Sequence, residues 1–103
     1  MEIHYRDNKQ QKILTNERLI LKEYGRLANS IINRLSEIAA ANCLSEIPNV
    51  PPPRRHKLQG GDDMWGLDIS KNHRIVIMPY GEYDITDLSS IKEIVLLRIE
   101  DYH

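Results

Sequence analysis

With one cysteine, Cys43, in 103 residues, the chain has no partner for an internal disulfide. Any zinc site would have to be drawn from histidine and carboxylate. Cys43 reads as small core filler. An excess of positive charge is also missing, since 14 Lys and Arg stand against 15 Asp and Glu for a net charge of −1. Proteins that hold nucleic acid mainly through its phosphates are usually strongly basic, so any RNA contact here has to be local. No apolar run approaches the roughly 20 residues of a membrane span. The charged start, residues 1–7, lacks the apolar centre of a signal peptide, so the expected location is cytoplasmic. Internal repeats are absent, and the length suits one domain, 1–103, with a single modest core.

Hydrophobic periodicity divides what remains into a helical half and a strand half. Ile3 and Tyr5 alternate as in an edge strand over 2–5. Asp7 and Asn8 can cap a short helix through Leu14, and Thr15-Asn16 ahead of Glu17 can cap a second. From there Ile20, Tyr24, Leu27, Ala28, Ile31, Leu35, Ile38 and Ala39 keep the three-and-four spacing of an amphipathic helix over 17–42. Gly25 sits inside it, where a glycine costs about 1 kcal/mol relative to alanine and invites a break. Residues 43–47 suggest one more helical turn. Pro48 and the run Pro51-Pro52-Pro53 then form a stiff connector too short to link domains.

Residues 54–79 read as a meander of three strands, near 54–59, 64–69 and 73–79, with turns at Gly60-Gly61-Asp62-Asp63 and Ser70-Lys71-Asn72. Trp65, Leu67 and Ile69 give the middle strand one apolar face. The other face is expected to gather His56, Lys57 or Gln59, and Arg74. After a polar, acidic loop over 80–90, the run 91–99 is the most apolar in the chain and reads as a central strand buried on both faces, within a strand over 92–100. The predicted architecture is α+β, with two N-terminal helices packed on one face of a mainly antiparallel sheet of four to five strands. Arg54, Arg55, His56 and Lys57 form the densest basic run, to which the hairpins bring Lys71, His73 and Arg74. On composition alone this run reads as a solvated strand edge, with an RNA contact as the alternative.

Taken together, His56-Lys57-Leu58-Gln59-Gly60, the Trp65-Gly66-Leu67 strand, Asn72-His73-Arg74-Ile75 and the ending Ile99-Glu100-Asp101-Tyr102-His103 resemble the HigB-like toxins of the RelE superfamily, also described as plasmid-maintenance killer proteins. The resemblance implies a RelE-like fold and the toxin of a type II toxin-antitoxin system. It further implies a metal-independent endoribonuclease that cuts mRNA on the ribosome and is held in an oligomeric assembly by a cognate antitoxin. The implied partners are therefore antitoxin, ribosome and mRNA, with no membrane and no cofactor. One residue departs from the pattern, because Gln59 stands where many such toxins have lysine.

Cutting RNA with side chains requires a base for the 2′-OH, charge stabilisation at phosphorus and an acid for the leaving oxygen. Imidazole serves as acid or base near neutrality, so His56 is a candidate for either role. Arg74 can neutralise the phosphate through its planar fork. A phenol ordinarily titrates at about 10, so Tyr102 acts as a base only beside cations such as Arg74 and Lys57. His103 offers an imidazole next to it. The expected catalytic set is thus His56, Arg74, Tyr102 and His103, with Arg54, Arg55, Lys57, Gln59, Lys71 and His73 contacting RNA. Lys57, two residues before Gln59, is a substitute for the missing lysine. No metal site is expected, because His4, His56, His73 and His103 show no local ligand spacing. A non-catalytic module, either an inhibitor of a protein target or an inactive antitoxin-binding relative, is the alternative.

Overall fold

The computed structural model describes residues 1–60 and 63–102. Among the described residues five strands form one sheet in the order β1-β5-β4-β3-β2: β1 (Glu2–Tyr5), β2 (His56–Lys57), β3 (Trp65–Asp68), β4 (His73–Pro79) and β5 (Glu93–Asp101). The β2-β3-β4-β5 meander is antiparallel, and β1 adds in parallel to β5. Three helices precede the meander: α1 (Asn8–Leu14), α2 (Glu17–Tyr24) and α3 (Ala28–Ala40). The fold is α+β, as its periodicities predict.

Local chemistry explains where the helices start and stop. Asp7 accepts from the Gln10 amide at 2.8 Å, and Asn16 from the Leu19 amide at 3.2 Å, so each caps a helix whose first N–H groups have no partner within the helix. The helix expected over 17–42 is divided. Gly25 takes a φ of +54°, a conformation that side chains resist, and a 3₁₀ turn at Gly25–Leu27 re-aims the chain into α3. The stripe still faces the sheet, with Ile20, Ile31, Leu35 and Ile38 buried and Leu27 packed at its margin. They meet Leu67, Ile75, Ile77, Ile94 and Leu96, and each such burial contributes about 1.5–3 kcal/mol. Leu44 and Ile47, around a 3₁₀ turn at Leu44–Glu46, close the end of the core before the prolines. Among the described residues no helix is long and apolar enough to cross a membrane.

The last strand is not buried on both faces. Ile94 and Leu96 point into the core, whereas Val95 and Leu97 are only partly covered. Helices lie on one face alone, which leaves the other open. The register with β4 then slips: Ile77 pairs with Leu96 and Val76 with Arg98, leaving Leu97 as a bulge. A one-residue slip exchanges the two faces of a strand. Beyond it Ile99 packs on the core, while Arg98 and Glu100 move to the open face. The Leu97 carbonyl, outside the ladder, accepts from Arg6 Nη1 at 3.3 Å and Gln10 Nε2 at 3.2 Å.

Candidate functional site

On the open face, where β2, β3 and β4 meet the end of β5, polar side chains converge. His56 lies across from Gly66, and Gly66 across from Val76. The His56 ring fills the space that a side chain at 66 would take: a Cβ there would stand 2.9 Å from both Cε1 and Nε2 of His56 and 3.2 Å from Cδ of Arg74. Only a bare Cα allows both to sit there. His56 Nδ1 is 2.7 Å from the Arg54 carbonyl. A carbonyl only accepts, so Nδ1 carries a proton, and Nε2 is the nitrogen left to exchange one with a substrate.

Tyr102 follows β5, its amide bonded to the Asn72 carbonyl at 2.8 Å. Its hydroxyl donates to Asp68 Oδ1 at 2.9 Å and accepts from Arg54 Nη2 at 3.3 Å. Arg54 grips the same carboxylate through two nitrogens, at 2.5 and 3.1 Å. Those hydrogen bonds to Asp68, then the one to Tyr102, hold the Arg54 guanidinium above its ordinary pKa. The Arg74 guanidinium lies 4.3 Å from the centre of the Tyr102 ring, and its Nε reaches Glu100 at 3.4 Å. Arg98 shares that carboxylate at 3.3 Å. Charge here is therefore local and partly balanced, with Arg54, Arg74 and Arg98 set against Asp68 and Glu100. Arg74 is in a strand ion pair, and its partner is Glu100, not Asp68.

Three of the four expected catalytic residues thus share one face, and His103 lies outside the described residues. The expected RNA-contacting set does not stay together. Lys57 pairs with Trp65 on the helix side of the sheet, opposite to His56. Its Nζ sits 5.9 Å from the Trp65 ring and 3.7 Å from Asp63, so strand alternation removes it from Tyr102 and from any role in place of the lysine missing at 59. Arg55 is taken up structurally. Its Nε donates to the Ile47 carbonyl at 2.8 Å, its guanidinium lies 5.3 Å from the Trp65 ring, and burial lowers its pKa. His73 alternates with Arg74 and bonds Ser70 at 2.9 Å, with Asp101 at 3.6 Å. Gln59 and Lys71 are exposed in turns. Arg54 remains at the site, as part of its frame.

Three contributors escaped the sequence reading: Glu100, Arg98 and, from below, Arg34; Asp68, which the sequence offers as an ion-pair partner for Arg74, pairs with Arg54 instead. Buried on α3, Arg34 donates from Nε to the Asp68 carbonyl at 3.0 Å and pairs with Glu37. The aromatic-glycine-hydrophobic pattern around Gly66 was the signal available for the cradle; nothing local marks Glu100, Arg98 or Arg34.

The fold matches that of a YoeB/ParE toxin from Agrobacterium tumefaciens, with a TM-score of 0.58, full coverage of both chains and 14% sequence identity. No family model and no curated protein sequence matches the chain.

Proposed function

We propose that the chain is the toxin of a type II toxin-antitoxin system, a ribosome-dependent mRNA endonuclease neutralised by a cognate antitoxin. The observation that carries this reading is the convergence of His56, Arg74 and Tyr102 on the open face around Gly66. The fold shared with a YoeB/ParE toxin supports it, as does the HigB-like pattern of the sequence.

In the proposed reaction His56 Nε2 takes the proton of a ribose 2′-OH. The freed oxygen bonds to the adjacent phosphorus, and the bond from phosphorus to the 5′-oxygen breaks. Arg74 faces the phosphate oxygens, where charge builds in the transition state. The Tyr102 hydroxyl, positioned by Arg54 and Asp68, gives its proton to the departing 5′-oxygen and leaves a 5′-OH product. His103 enters through the resemblance alone, as a second group beside Tyr102.

A binding module without catalysis is the second reading. It is favoured by Gln59 in place of lysine, by the removal of Lys57 from the face, and by Asp68 and Glu100 offsetting the arginines. Induction in a bacterial host with mapping of transcript 5′ ends separates the two. Breaks inside translated codons are expected; growth arrest with intact transcripts would establish the module instead.

A further inference from the structure

At the opposite corner of the open face, the start of β5 meets the edge strand β1. Glu2 is the register partner of Glu93 in this parallel pair, and His4 follows on the same face of β1. His4 Nε2 lies 2.9 Å from Glu93 Oε1 and 3.8 Å from Glu2 Oε1. One donor atom from each of the three residues can be chosen so that all lie within 4.8 Å of one another. Among the described residues, they are the one group of three or more His, Cys, Asp and Glu side chains so placed.

Two carboxylates directly opposed across neighbouring strands repel one another. Two carboxylates and one imidazole gathered at one corner form a donor set suited to a doubly charged ion. The surroundings hold the donors in place. The His4 ring stacks on Tyr80, with centroids 3.9 Å apart and planes 24° from parallel. The Tyr80 amide donates to the Glu93 carbonyl at 2.9 Å, and the bare Cα of Gly81 leaves room beside Glu93 Oε2, which a Cβ would approach to 3.1 Å. Such supports fix the orientation of a ligating ring.

We propose that Glu2, His4 and Glu93 form a binding site for a divalent cation of the zinc type, which fastens the edge strand to the last strand. Zinc accepts one imidazole nitrogen and carboxylate oxygens at about 2.0–2.2 Å, which in a tetrahedron sets donors about 3.3 Å apart. The 2.9 and 3.8 Å separations from His4 bracket that spacing, and the glutamate oxygens lie within 4.8 Å of each other, so movements of the two glutamate side chains complete it. Water takes the fourth position. No local pattern marks the trio, because Glu93 is 89 residues from His4 and joins it only through the parallel pairing. The proposal is independent of RNA cleavage: from Glu93 to Glu100, β5 spans about 23 Å at 3.3 Å per residue.

Zn²⁺ titrated into the full-length protein by calorimetry, with Co²⁺ as a visible-absorption probe, tests the site. Expected are one ion per chain, a raised melting transition, and affinity at least about tenfold weaker in both Glu2→Gln and His4→Ala, equivalent to about 1.4 kcal/mol. Glu2 is exposed, so Glu2→Gln decides the matter even if His4→Ala fails to fold. Absence of saturable binding to the wild-type protein, or binding unchanged by Glu2→Gln, would overturn the assignment.

Discussion

The two faces of the sheet are built by different rules. The face under the helices is filled by residues that repeat at fixed spacings, such as Ile75 and Ile77 on β4 or Ile31, Leu35 and Ile38 on α3. The open face is assembled from residues far apart in sequence: Arg54 with Asp68 and Tyr102, Arg74 with Glu100, Glu2 with Glu93. Apolar burial tolerates many arrangements of similar volume, whereas a polar cluster works only with particular partners at hydrogen-bonding distance. Changes to the first face should therefore cost stability, and changes to the second should cost chemistry.

The largest effect is expected on the covered face. Ile77→Ala removes a fully buried side chain at the centre of the sheet and should destabilise the protein by about 2–5 kcal/mol, measured by denaturant unfolding. Activity per folded molecule should hold. Gly66→Ala should do the reverse. Its new methyl group would stand 2.9 Å from the His56 ring, so the ring must leave its seat while the core stays intact. RNA cleavage should fall about a hundredfold, as expected for a catalytic group displaced by about 1 Å, with little change in the melting transition.

Arg34→Met tests whether the faces communicate. It leaves the Asp68 carbonyl and the Glu37 carboxylate without their arginine, which should cost about 1–3 kcal/mol. It should also loosen the Asp68 frame around Tyr102, giving a fall in cleavage per folded molecule that Ile77→Ala does not share. The smallest effect belongs to the α1 cap. The Gln10 amide, donating to Asp7, lowers the pKa of that carboxyl below its ordinary value. Its stabilisation is therefore complete above the ordinary carboxylate range and is lost as pH falls through the lowered value. Melting curves of the wild-type protein and Asp7→Asn should differ slightly at neutral pH and converge in acid.

This contrast also explains how much could be read in advance. Helix stripes, the turn at Ser70-Lys71-Asn72 and the meander follow from local patterns, and Gly25 announced the break that divides α2 from α3. The meeting of His56 and Arg74 at Gly66 follows from alternation across two hairpins. The same alternation should have excluded Lys57, which lies one residue from His56 and hence on the other face. The end of β5 was not legible. Unbroken alternation from Ile94 and Leu96 would have turned Glu100 and Tyr102 toward the helices, and only the bulge at Leu97, held by Arg6 and Gln10, turns them outward. Asp68, which strand pairing sets opposite Arg74, is instead the hub for Arg54 and Tyr102.

If the open-face cluster cuts RNA, His56→Ala should suppress cleavage without unfolding the protein. His56 is half-buried and lies outside the hydrophobic core, so its truncation should spare the melting transition. Translated transcripts mapped after induction should show wild-type cleavage within codons, reduced about a hundredfold or more in the variant, the loss expected for a general acid or base. Equal cleavage by the wild-type protein and a stably folded His56→Ala variant would mean that this cluster does not cut RNA.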